Sequence, residues 1–226
     1  MGLYFFHMIT DTLVKISTAA ILTFNQMATP LVPAQEQVLA SHEMSLDRRY
    51  YPVQKENILL NLAYMDGRVK ATHPAFGGKT DINWDEIQKP FKYEFKLDPN
   101  KTFAYHDDIL PEYKDSLART TQAHFNFSEG FKTAGYMFGD GVCHLASLIY
   151  WVALDAGLKA EAPRNHDFMP IPEIEKKYGV SIYSSGSADG SNTQQNLYIT
   201  NSKSKVITFK FDYNGDKLKV SILQEN

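Results

Sequence analysis

The chain of 226 residues has a single cysteine, Cys143, so no disulfide can close within it. Charge of either sign is not in excess: 26 Asp and Glu face 23 Lys and Arg, for a net charge of -3. The basic residues are scattered, without the patch that a nucleic-acid binder needs, so no nucleic-acid partner is expected. There is no Cys-x-x-Cys or His-x-x-x-His pair, and the seven histidines form no cluster. No metal and no other cofactor is therefore expected. The uncharged run 16–35 is not apolar enough to span a bilayer comfortably, which argues against a stable membrane anchor. No internal repeat and no extended low-complexity segment is present.

What the chain does have begins with its first 35 residues. Lys15 precedes a short apolar stretch, which small residues and prolines follow as far as Ala34. That is the order of a secretory signal, although Asp11 is unusual ahead of such a core; Met8 offers an alternative start. An amphipathic N-terminal helix is the other reading. "PLVPAQEQ" reads as a processed junction. We expect a leader over 1–35, a linker over 36–44, a folded domain over 45–226, and export.

Periodicity orders the rest. Ile58, Leu59, Leu62 and Met65 predict a helix over 53–67 that Gly67 stops. "DINWDEIQK" predicts a short helix capped by Asp81 or Asn83. Phe91, Tyr93 and Phe95 alternate with Lys92, Glu94 and Lys96 as in a half-buried strand, and "DPNK" predicts a hairpin to a second strand at "TFAY". Residues 112–123 read as partly helical. The clearest element is 142–155, apolar over most of its circumference and ended by Gly157. Four strand candidates follow, at "GVSIYSS", "QNLYITNS", "SKVITFKFDYNG" and "DKLKVSILQ", with Asn214-Gly215 marking a hairpin. The class is α+β: a buried central helix with Cys143 at its N-terminus, packed on a mostly antiparallel sheet.

"GDGVCHLASLIYWVALDAGL" resembles the signature of the VanW-like family, which runs Gly-Gly-Gly-Val-Cys-Gln and later Ala-Gly-Leu. Gly139, Gly141, Val142, Cys143, Ala156, Gly157 and Leu158 keep it; Asp140 replaces the middle glycine and His144 the glutamine. "DPNKTFAYHDDI", "RNHDFMPI" with Arg164 and His166, and "QNLYITNSKSKVITFKF" are similar to further segments of the family. The resemblance covers about residues 45–226. It implies a bacterial cell-envelope setting, since the family is named for an accessory component of vancomycin-resistance clusters, and it implies peptidoglycan or an envelope peptide as partner. One departure is Gly179, which stands where the family commonly has an aspartate.

A cysteine at a helix N-terminus sits where the macrodipole and free N–H groups favour a thiolate. That placement suggests Cys143 as nucleophile and His166 as base, with backbone at Gly141, Cys143 and His144 as oxyanion donors. Asp189 is the weak candidate for orienting His166. A helix cysteine followed by a histidine is the order of papain-like and transglutaminase-like folds. Two functions remain open: a Cys/His acyl transferase or amidase, and a non-catalytic envelope module in which Cys143 is a small buried hydrophobe. The aromatic strand face reads as core, whereas Trp84 and Tyr183 could stack on sugars.

Overall fold

Two helices that are apolar on several sides, and one sheet that is apolar on one face, set the architecture. The computed structural model describes residues 36–47, 52–71, 78–135, 138–184 and 191–226; the expected leader over 1–35 lies outside them. The helices are α1 (Pro52–Met65), α2 (Trp84–Ile87), α3 (Val142–Asp155) and α4 (Ser191–Gln194). Pro52 opens α1, where its missing N–H leaves no bond unmade. Asn83 caps α2 by accepting from the Glu86 N–H. Gly157, with φ at +68°, ends α3.

The first sheet orders β1 (Glu36–Ser45), β8 (Lys217–Glu225), β7 (Ile207–Tyr213) and β2 (Phe91–Leu97), all antiparallel. The second orders β4 (Leu117–Arg119), β3 (Thr102–Ala104), β6 (Tyr198–Thr200) and β5 (Lys159–Glu161); only β3 and β4 pair parallel. The architecture is α+β, as the mixed periodicities imply. β7 and β8 form the expected hairpin, with the Asn214 side chain accepting from the Asp216 and Lys217 N–H groups and Gly215 at φ +108°. The core is continuous through both sheets, because Phe103 of β3 packs on Phe95 of β2 and Phe209 of β7 at ring distances of 5.4 and 6.2 Å. Each such ring contributes about 1.5–3 kcal/mol by leaving water.

Several expectations are corrected. Residues 36–44 are no linker: they are part of β1, which pairs with β8 from Glu36 to Ser45, with a bulge at Leu39. β2 and β3 do not form a hairpin. The turn at Asp98–Lys101 instead carries the chain from one sheet to the other. Asn201, fully buried, fixes that crossing by donating to Leu97 and Lys205 carbonyls, while its own backbone bonds Asn100 and Lys101. Residues 112–123 hold a 3-10 turn and β4 rather than an α-helix. Residues 181–184 are irregular, and β5 went unforeseen.

The start of α3 is fixed by close contacts. Gly141 has φ at +101°, and a Cβ there would meet the Gln54 carbonyl oxygen of α1 at 2.7 Å. Gly139 has φ at +88°, and a Cβ would meet the Phe125 Cβ at 2.9 Å. Between them, Asp140 accepts from the Ala134 N–H and the Thr133 hydroxyl. The buried Asn57 of α1 donates to the Lys132 and Asp140 carbonyls and accepts from the Lys132 N–H, all within 2.8–2.9 Å. Tyr105, also buried, donates to the Val142 carbonyl at 3.0 Å. A further clamp lies nearby: His124 bonds Glu129 at 2.7 Å through Nδ1 and Asp107 at 3.0 Å through Nε2. Asp107 first, then Glu129, hold the imidazolium and push its pKa up to about 10.

Two stability predictions follow from these contacts. Asn57→Ala removes three hydrogen bonds and leaves the Lys132 N–H and the Asp140 carbonyl without their partner, while the Lys132 carbonyl keeps its bond from the Gly139 N–H; it should cost about 2–4 kcal/mol in urea unfolding, and a loss under about 1 kcal/mol would remove Asn57 from this role. His124→Gln should cost about 1–2 kcal/mol, kept low because the ring is 41% exposed. Because the folded pKa is raised, that contribution is complete below about pH 6.5 and fades as pH rises through about 10. The wild-type and Gln variant curves of stability against pH should therefore converge at alkaline pH.

Candidate functional site

At the N-terminus of α3 lies an open cleft of about 680 Å³. Its floor carries Cys143, His144 and His166, and its walls include Phe138, Phe168 and Tyr183. Gly139, Asp140 and Gly141 form one edge. The residues that the sequence singled out as nucleophile and base thus line one cavity.

Their geometry differs from an activated pair. The Cys143 thiol donates to the Ile182 carbonyl at 3.6 Å and accepts from the Ile182 N–H at 3.4 Å. Neither bond involves His166. Burial pushes the thiol up to about 11, against a partial lowering by the Ile182 N–H. Loss of hydration thus acts against the lowering expected at a helix terminus. The oxyanion arrangement is altered too. The His144 N–H donates to the Gly141 carbonyl at 3.0 Å, within the first turn of α3.

His166 is buried, and burial lowers its pKa, against a partial raising by its own backbone and that of Met169. Its Nδ1 has no hydrogen-bond partner among the described residues. The ring meets His144 edge-on at 6.1 Å and lies 4.2 Å from Phe168. Asp167 is exposed and acts on His166 only weakly. Asp189 lies outside the described residues. Arg164 is exposed and contributes its carbonyl, which accepts from the Ser181 N–H at 2.9 Å. Gly179 packs so tightly that a Cβ would meet the His166 carbonyl oxygen at 2.8 Å. In this loop a side chain at position 179 would press on backbone. Among the described residues no three His, Cys, Asp or Glu side chains converge as a metal site would require.

Three contributors were not foreseen. Ile182 meets the thiol through its backbone, which no residue pattern announces. Phe138 and Phe168 are exposed at the cleft mouth; the one signal for Phe168 was its place two residues after His166. Tyr183 is in the cleft wall as a stacking candidate, whereas Trp84 is half-buried in the body of the fold beneath Lys132 at 4.0 Å.

No helix among the described residues is long and apolar enough to cross a membrane. No curated protein and no solved structure gives a significant match to the chain. The family model described as VanW like protein matches residues 95–223, a span that contains α3, the cleft floor, the whole of β3 to β7, and all but the first residues of β2 and the last of β8. With more than half of its length covered, the chain belongs to the VanW-like family.

Proposed function

We propose that this protein is an exported module of the vancomycin-resistance-associated VanW-like family, and that it binds a cell-wall ligand in the α3 cleft without covalent chemistry. One observation carries the reading: the Cys143 thiol is held on both sides by the Ile182 backbone, where burial pushes its pKa up. With a pKa of about 11, about one thiol in a thousand is ionised at pH 8. Nucleophilic catalysis needs the thiolate and a base within reach. The cleft itself has the size of a small-ligand site.

A second reading is favoured by the shared placement of Cys143 and His166 in one cavity. It makes the protein a Cys/His acyl transferase or amidase on peptidoglycan peptides, in the manner of papain-like and transglutaminase-like folds. In it, substrate entry would break the bonds to Ile182 and bring the imidazole to the sulfur.

Iodoacetamide labelling of Cys143 separates the two. The binding reading expects slow labelling at pH 7 that quickens about tenfold per pH unit up to pH 10. Fast labelling that levels off below pH 7 would establish the second reading instead. In parallel, Cys143→Ala should retain binding to purified cell-wall sacculi within about twofold of wild type. A wild-type protein that fails to sediment with sacculi would remove the binding reading.

A further inference from the structure

The character of the cleft narrows what it can hold. Among its described lining residues there is no lysine or arginine. Asp140 is the one acid there, and its carboxylate is engaged by Ala134 and Thr133. A carboxylate or phosphate entering the cleft would lose water without meeting a cation, which is unfavourable. The described lining therefore disfavours an anionic ligand group.

The floor is polar all the same. His166 is 5% exposed, and its Nδ1 lacks a hydrogen-bond partner among the described residues. Buried polar atoms are nearly always paired, so this one is suited to a ligand hydroxyl or amide. Asn126 and Gln54 add further polar groups to the lining. A simple acyl chain would cover all of these without replacing their water, and so fits poorly.

The rim is aromatic. Of the seven large apolar side chains that are exposed among the described residues, four line this cleft: Phe138, Phe168, Met169 and Tyr183. Such clustering marks a binding surface, where scattered exposure would not. Phe168 is 68% exposed and its ring lies 4.2 Å from that of His166. A ring-shaped ligand seated on Phe168 would set its polar edge beside the imidazole.

We propose that the cleft holds a neutral oligosaccharide, its sugar faces stacked on Phe168, Phe138 and Tyr183 and one hydroxyl or acetamido group bonded to His166 Nδ1. This rests on the reading of the cleft as the binding site of an envelope module, and it assigns recognition to the glycan rather than to the peptide of the wall. Aromatic rings suit the C–H faces of sugars, and a neutral imidazole can both donate and accept.

The test titrates the whole chain with chitotetraose, an uncharged amino-sugar oligomer, by calorimetry, and separately competes it against sacculi. Chitotetraose should bind and should displace the protein from sacculi, whereas a free stem pentapeptide should do neither. Phe168→Ala, at an exposed position that folding does not need, should weaken chitotetraose about tenfold with an unchanged melting temperature. The proposal is overturned if the pentapeptide or laurate displaces the protein and chitotetraose does not; the binding-module reading would survive that result. Failure of the wild type to bind sacculi would instead strike the module reading, and the calorimetric titration would still decide the sugar.

Discussion

The side chain of Asn57 is the constraint on which the cleft depends. It lies on α1, yet it holds two segments that are 75 and 83 residues away in sequence. Both bonded segments, around Lys132 and Asp140, lead into α3. Gly141 presses against the Gln54 carbonyl in the same turn of α1. The first turn of α3 is therefore placed by hydrogen bonds and by the absence of a side chain, and Tyr105 secures it from β3's side through the Val142 carbonyl. Cys143 takes its position from these contacts, whatever its chemistry.

That position sets two effects against each other. A helix N-terminus favours an anion by about 0.3–1 kcal/mol, which is less than one pKa unit. Desolvation of a buried group can shift a pKa by several units. Here the second wins, and the thiol rises to about 11. The same burial lowers His166, so burial disfavours the charged form of both Cys143 and His166. A catalytic cysteine–histidine pair would need the opposite charge states. The raised thiol, the lowered imidazole and the lack of a lysine or arginine among the described lining residues all disfavour an anionic ligand group there.

Much of this was legible in the sequence, and the boundary is physical. α3 and the β7–β8 hairpin were visible because their signals are local: apolar residues round a helix, glycine at its end, and Asn-Gly between alternating strands. The glycines around Asp140 were visible as a motif. What escaped was non-local. The prolines before Gln35 suggested a linker, but β8 supplies a partner for β1 from the far end of the chain. The turn at Asp98–Lys101 has hairpin chemistry, yet β2 finds β7 and β3 finds β6, because the buried Asn201 holds the crossing. The bonds from Ile182 to the thiol use backbone atoms, which every residue carries. Gly179 looked like a lost aspartate until the approach of the His166 carbonyl gave it a packing reason.

These contacts also change how the glycine–cysteine motif is to be read. Gly139 and Gly141 have positive φ and abut Phe125 and Gln54, while Asp140 binds the preceding loop. Each of the three has a reason to be where it is that involves no reaction. Cys143 has one as well, since its sulfur joins the start of α3 to the segment at Ile182. A motif with that much structural content can mark a shared fold without marking a shared activity. Membership of the family therefore argues for the cleft and its shape, and the chemistry inside must be argued from the charge, burial and partners of the side chains that line it.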